Sequence, residues 1–302
     1  MAELSRKLQR MSWTNYHSHS HYCDGKLSPE AHIQSAIERG FAAFGCSSHS
    51  PVAFPSTWNM NPEDAPKYAA EIRSLRDQYQ DQIEIYVGME VDFIPGVTGP
   101  SDPLIAAQNL DYSVGSIHYV DAFPDGTPWE IDGPHVLFVR GVEEIFGGNA
   151  RAAVERYYEL TRMMVEQDPP SMIGHLDKIK IQDESGKLFD TGSDWYQAEV
   201  RKTLDVIAQS GIPVEVNTRG MYKGLTTEPY PGRWILTEMY QRNIPVVLNS
   251  DSHRPQEIDG HFSEAAALLL EIGYRELQVL LGGTWQSVPF DASGLKIGAN
   301  QS

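Results

Sequence analysis

The 302-residue chain has only two cysteines, Cys23 and Cys46, too few for a disulfide framework and without the paired spacing of a thiolate metal site. No apolar run is long enough to span a bilayer, and the polar stretch 1–10 has no apolar signal core, so a soluble, cytoplasmic protein is expected with no membrane partner. Basic residues are also scarce, 24 against 41 acidic ones, for a formal charge of -17. Such a surface repels a polyanionic strand, so nucleic acid is not the expected partner. Gly-rich phosphate loops, a serine nucleophile elbow and a cysteine-based phosphatase motif are all absent. So is any linker or low-complexity segment that would divide the chain. One domain over 1–302 is expected, with its core at about 13–290.

What the sequence does contain is alternation. Seven short apolar or β-rich runs, at 13–17, 43–47, 83–89, 112–117, 171–174, 213–217 and 245–249, are separated by segments of helical period. Ser28-Pro29-Glu30 supplies a cap, a first-turn proline and a first-turn acid, Ile33, Ala36 and Ile37 a buried face, and Gly40 a stop. Val200, Leu204 and Ile207 repeat the spacing before Gly211. Strand and helix alternating in this way predict βαβ units and an α/β fold: a distorted seven-stranded (β/α)7 TIM-like barrel. Residues 121–149, rich in Gly, Pro and aromatics, read as an elaborated loop with a short helix that shapes a pocket.

The metal-capable side chains fall at or just beyond the C-terminal ends of these runs, where parallel barrels build their sites. The first run ends in His17-Ser18-His19, with Asp24 close behind; His49 follows the second, Glu90 the third and His118 the fourth. The fifth leads to His175 and Asp177, the sixth carries Glu215 and Asn217, and the seventh is followed by Asp251 and His253. Alternation in an extended segment sends residues i and i+2 to one side, so His17/His19 and Asp251/His253 can each aim two donors into one cavity. A lone histidine is more often a surface or core residue than a ligand; seven strand ends so furnished reverse that weighting. His32, His135 and His261, within or beside helices, are expected to be structural, and His21 to be a loop residue beside the site. Imidazole and carboxylate together suit zinc, manganese or iron better than calcium.

These segments, Asn15-Tyr16-His17-Ser18-His19 with Asp24-Gly25, Ser48-His49, Gly88-Met89-Glu90, Gly115-Ser116-Ile117-His118, Gly174-His175-Leu176-Asp177 and Ser250-Asp251-Ser252-His253, resemble in order the motifs of the polymerase and histidinol phosphatase (PHP) superfamily. The residues 174–178, 215–220 and 228–231 are similar to its histidinol-phosphate phosphatase branch. The resemblance implies a three-metal site in which His17, His19, Glu90 and Asp251 hold one ion. Glu90 then bridges to a second ion on His118 and His175, and Asp24, His49 and His253 hold the third. It departs from the common pattern at Ser48, where many members have Asp, and at Asp24, where some phosphatases use His one residue later. The implied activity is hydrolysis of a small phosphomonoester, histidinol phosphate above all. Water deprotonated between two ions is the expected nucleophile, with Asp251 or His253 moving protons, and Arg219, Lys178 and Tyr119 near the phosphate and the organic group. Two alternatives stay open: a PHP phosphoesterase of another small phosphate or nucleotide, and a metal-stabilised, non-catalytic module.

Overall fold

The computed structural model describes residues 13–183 and 188–297; the leader expectation for 1–10 lies outside them. Seven strands form one parallel sheet: β1 (Thr14–Asn15), β2 (Ala43–Cys46), β3 (Glu84–Asp92), β4 (Tyr112–Ser116), then β7 (Met172–Ile173), β8 (Val214–Asn217) and β9 (Val246–Asn249). Between β4 and β7, a short antiparallel pair, β5 (Tyr119–Ala122) and β6 (Pro128–Glu130), and a helix at His135–Phe146 occupy the region read as an elaborated loop. The sheet is nearly closed. One parallel bridge joins Ser18 to Ser252, and side chains complete the seam, with Tyr16 N donating to Asn249 Oδ1 (2.8 Å) and Asn15 Nδ2 to Ser250 Oγ (2.9 Å). Helices cover the outside. In Pro29–Glu38, Ser28 accepts from Ala31 N as N-cap and Ile33 and Ala36 are buried; Asp194–Ser210 buries Val200, Leu204 and Ile207 and ends at Gly211 with φ 71°.

The interior is filled by aromatic rings rather than by aliphatic layers alone. The Tyr112 ring lies across Gly45 and Gly88, where a Cβ would come within 2.2 and 2.3 Å of it, and its hydroxyl donates to Tyr16 O (2.7 Å). Glycine at these two strand positions is therefore a space requirement. An antiparallel sheet that the sequence reading did not assign, β10 (Glu276–Leu281), β11 (Thr284–Asp291) and β12 (Gly294–Leu295), closes the lower end. Tyr16 Oη donates to Leu280 O (2.9 Å) and accepts from Leu280 N (3.0 Å), and Leu280 packs with Tyr16, Tyr86 and Tyr112 in one apolar cluster. With that end plugged, the opening lies at the C-terminal ends of the strands.

Three strands differ from expectation in length. The first and fifth are two residues each: beyond the first the chain is held by the isolated Ser18–Ser252 bridge, and beyond the fifth by His175 N donating to Glu215 Oε2 (2.9 Å). The third runs to Asp92, paired with Ser116 of β4, so Glu90 lies inside it rather than after it.

Candidate metal centre

His17 and His19 point to the same side because Ser18 between them is tied outward. Ser18 Oγ donates to Gly45 O (2.9 Å), its N donates to Ser47 Oγ (3.0 Å), and His19 N donates to Ser252 O (2.7 Å). The chain then turns back to bring Asp24 over the opening. Gly25 in that turn lies against the His19 carbonyl, where a Cβ would sit 2.3 Å from the carbonyl carbon, so the turn requires glycine. The Ser48 departure has a local explanation: its hydroxyl accepts from Ser20 N (3.1 Å) and lies 3.0 Å from Ser20 Oγ, tying the second strand end to the turn that carries Asp24. At the seventh strand end Asp251 adopts φ 52°, a left-handed conformation costly for a non-glycine residue. Its carbonyl accepts from Arg219 Nη1 (2.9 Å) and Tyr222 Oη (3.0 Å), while its carboxylate turns toward His19.

Glu90 is the centre of the arrangement. Its Oε2 lies 3.1 Å from His17 Nε2, 3.4 Å from His19 Nε2 and 3.0 Å from His49 Nδ1. Its Oε1 lies 2.9 Å from His175 Nε2 and 3.6 Å from His118 Nε2, and accepts from Ser116 Oγ (2.6 Å). On one flank Asp251 Oδ1 is 3.2 Å from His19 Nε2. On the other side of His19, Asp24 approaches His253 Nε2 (3.0 Å) and His49 Nε2 (3.8 Å). Three sets of donor atoms converge closely enough for a shared ion: His19, Asp24, His49 and His253; His17, His19 and Asp251; and His49, Glu90 and His118. The geometry thus brings together all nine side chains proposed as ligands, although it groups His19 and His49 differently from the partition implied by resemblance. His175, in none of the three sets, faces His118 Nε2 at 3.2 Å.

The donor set fits divalent ions. His17 Nε2, His19 Nε2, His49 Nδ1 and Asp24 Oδ1 are buried without hydrogen-bond partners, an expensive arrangement for polar atoms unless a ligand completes it. Charge gives the same answer. Seven carboxylates, Asp24, Glu90, Asp92, Glu130, Asp132, Glu215 and Asp251, lie in the cluster or at the cavity beside it, against two permanent cations, Lys178 and Arg219. Burial raises the Glu90 carboxyl, yet His17, His49 and His118 together hold it well below its usual range, so it stays ionised. Burial likewise disfavours imidazolium at His17, and the Glu215, Glu90 and Asp251 carboxylates overcome this to hold it well above its ordinary value. His118 is pushed up to about 9: burial opposes the charge, and Asp92 and Glu90 outweigh burial.

Two residues orient the ligands. Asp92 Oδ1 lies 2.9 Å from His118 Nδ1, and Glu215 Oε1 lies 2.6 Å from His17 Nδ1, arrangements that hold a proton on Nδ1 and turn Nε2 toward the cluster. Sequence reasoning noted Glu215 without giving it this part and missed Asp92. The i, i+2 spacing from Glu90 was the available signal. Asp177 points away from the cluster, accepting from Lys180 Nζ (2.7 Å) and Gly232 N (3.0 Å), which docks the 228–232 segment.

Above the cluster is a cavity of about 220 Å³ lined by Asp24, His49, Trp58, Glu130, Asp132, Lys178, Arg219, Asp251 and His253. Lys178 and Arg219 are therefore placed at it. Tyr119 is not: its ring stacks behind Trp58 (5.2 Å, 9°) and its hydroxyl donates to Asn59 Oδ1 (2.9 Å). Trp58, Glu130 and Asp132 were missed, because Trp58 and Asp132 sit on loops and Glu130 ends the three-residue strand β6, with no periodic pattern to mark them. The four histidines set aside lie outside the cluster: His32 with Nδ1 3.1 Å from Ser28 O, His135 beside Gln182, His261 beside Glu264, and His21 exposed against Tyr22.

The PHP domain family model matches residues 15–219. The chain belongs to that family. A Deinococcus radiodurans relative named "Probable histidinol-phosphatase" is 30% identical over 263 residues, covering 86% of this chain and 93% of the relative. The Bacillus subtilis histidinol-phosphatase is 24% identical over 266 residues, covering 82% of this chain and 96% of its own length. Among solved structures, a Lactococcus lactis histidinol phosphate phosphatase complexed with zinc, L-histidinol and phosphate aligns with a TM-score of 0.68 at 20% identity, covering 94% of this chain and 98% of that one. A Listeria monocytogenes histidinol phosphatase structure aligns at 0.71 with 24% identity, covering 83% and 99%. These likenesses bear on the PHP fold. No helix among the described residues is long and apolar enough to cross a membrane.

Proposed function

We propose that this chain is a metal-dependent phosphomonoesterase acting on histidinol phosphate, releasing histidinol and inorganic phosphate. The reading rests chiefly on one observation: six imidazoles and three carboxylates converge at the floor of a cavity whose wall carries Lys178 and Arg219. The named activity of relatives matched over most of their length supports the substrate.

His17, His19, Glu90 and Asp251 would hold one divalent ion, Glu90, His118 and His175 a second, and Asp24, His49 and His253 a third, with zinc, manganese or iron the candidates. Bound there, such ions neutralise the phosphoryl oxygens and lower the pKa of water near them. The protein's own groups do the rest. Lys178 and Arg219 are oriented by Asp132 Oδ2 (2.7 Å from Lys178 Nζ) and by the Asp251 carbonyl, and present fixed positive charge to the phosphate. His253 and Asp251 also line the cavity and would pass a proton to the departing alkoxide from whichever atom an ion leaves free. Glu90, reached by both halves of the cluster, keeps cations together that would otherwise repel.

Purified protein stripped with chelator and reconstituted with single metals should hydrolyse histidinol phosphate in preference to other small phosphomonoesters. Faster turnover of a nucleoside monophosphate or sugar phosphate, with histidinol phosphate barely touched, overturns the substrate while leaving the metallophosphatase reading in place. Asp24→Ala should lose one ion and retain the others, because Glu90 and Asp251 belong to different donor sets. Elemental analysis checks this. Full metal content with full activity contradicts the assignment of Asp24.

A further inference from the structure

Asn217 ends β8, fully buried, yet it belongs to none of the three donor sets and does not line the cavity. Every polar atom it carries is engaged. Its N donates to Tyr230 O (2.8 Å), its O accepts from Tyr230 N (2.9 Å), and its Oδ1 accepts from Arg219 N (2.9 Å). Because that side-chain oxygen faces an N–H, the amide has one orientation and its NH2 group must face the other way. There both hydrogens meet carboxylates: Nδ2 donates to Glu215 Oε2 (3.0 Å) and to Asp251 Oδ2 (3.2 Å).

The Asp251 contact divides that carboxylate between two tasks. Its other oxygen, Oδ1, lies 3.2 Å from His19 Nε2 and 3.8 Å from His17 Nε2, the two rings with which it forms a donor set. A carboxylate can turn about its Cβ–Cγ bond, so a fixed donor on one oxygen is what commits the other to the rings. Lys178 Nζ, 3.9 Å from Oδ2, is too distant to hydrogen-bond it. Among the described residues the Asn217 amide is the donor that meets Oδ2, and Glu215, held in turn by Asn249 and His175, anchors that amide.

We propose that Asn217 is a positioning residue for the ion of the His17, His19 and Asp251 set, fixing Asp251 so that it binds through Oδ1. This rests on the metal-centre reading and deepens it. The test follows stepwise zinc binding to the metal-free protein against a competing chelator, at a temperature where circular dichroism is native. Asn217→Leu removes the donors at nearly constant volume, and Asn217→Ser does so with room for water. Either should weaken one zinc by about ten- to hundredfold, as when the partner of a ligand is lost. KM for histidinol phosphate in excess zinc should stay within about twofold of wild type, because Asn217 does not line the cavity.

Double variants separate positioning from general support. Combined with Asp251→Ala, the Asn217 substitution should cost less than about threefold further in zinc affinity, since the group it positions is gone. Combined with Asp24→Ala it should cost its full factor, because Asp24 belongs to another set. Wild-type zinc affinities in both single variants overturn the proposal, and so does a full additional loss on top of Asp251→Ala, which would route the effect through Glu215. Loss of the native spectrum in both single variants makes Asn217 a structural residue and overturns it as well. A wild type that binds no zinc overturns the metal-centre reading itself.

Discussion

Replacing Glu90 by glutamine should give a folded barrel that has lost at least one metal ion and most of its turnover. The fold should persist because the neighbours of this residue along β3, Met89 and Val91, are fully buried in the apolar core and are untouched. Ser116 Oγ can still donate to the remaining amide oxygen. What changes is charge. The Glu90 carboxylate faces His17, His19 and His49 with one oxygen and His118 and His175 with the other, so any two ions on these rings share it as their common counterion. Two dications held in a dry site repel strongly, and a neutral amide offsets none of that repulsion. Its NH2 group also faces ring nitrogens meant to donate electron pairs. The loss in kcat should be on the order of a hundredfold or more, as for removal of a dominant electrostatic element, with partial recovery in excess metal. Circular dichroism, elemental analysis and steady-state kinetics decide it together. A native spectrum with unchanged metal content and less than about a tenfold drop in turnover would show that Glu90 does not bridge.

The position of this residue also shows what could be read from the sequence. The seven strands were legible because each apolar run is bounded by turn or polar residues, and the ligand types at their ends follow from the way a parallel barrel exposes those ends. The lengths were not. Whether a strand stops at Met89 or continues to Asp92 depends on how far its neighbour pairs with it, and the Asp92–Ser116 register is a tertiary fact. Ending the strand early hid Asp92, the residue that orients His118. The lower sheet was overlooked although Gly282-Gly283, both at positive φ, separates two β-rich runs in the manner of a hairpin turn. Trp58, Glu130 and Asp132 had no comparable signal. Trp58 and Asp132 reach the cavity on loops that fold over it and Glu130 at the end of the three-residue strand β6, and no period in the chain marks where such segments will land. Tyr119 was the converse error: adjacency to His118 in the chain suggested the pocket, but consecutive residues of an extended segment face opposite ways.

Glutamine at Glu215 should weaken both the empty protein and its grip on metal. This carboxylate is fully buried and saturated: Oε1 takes His17 Nδ1 (2.6 Å) and Asn249 Nδ2 (3.0 Å), and Oε2 takes the His175 amide (2.9 Å) and Asn217 Nδ2 (3.0 Å). Four acceptor positions are thereby used, the full capacity of an ionised carboxylate. Burial favours the neutral acid, but the charge of His17 and the hydrogen bond from it hold Glu215 below its ordinary range, so the ionised form is the one present. An amide can replace only one of the two oxygens, and either orientation fails. With nitrogen toward His17, the ring must accept at Nδ1 and carry its proton on Nε2, which can then no longer ligate. With nitrogen toward His175, the His175 amide and Asn217 are left donating to a donor, at roughly 1–3 kcal/mol for each unpaired group. The metal-free variant should therefore melt several degrees lower, and zinc affinity measured against a competing chelator should fall about ten- to hundredfold, as when the partner of a ligating histidine is lost. Glu215→Asp, which keeps the charge but shortens the reach, should recover part of the stability and less of the affinity, because the His17 contact is the shortest of the four. Wild-type melting and zinc affinity in Glu215→Gln would mean that the His17 ring is held by its other neighbours, and that the tautomer assigned to it is wrong.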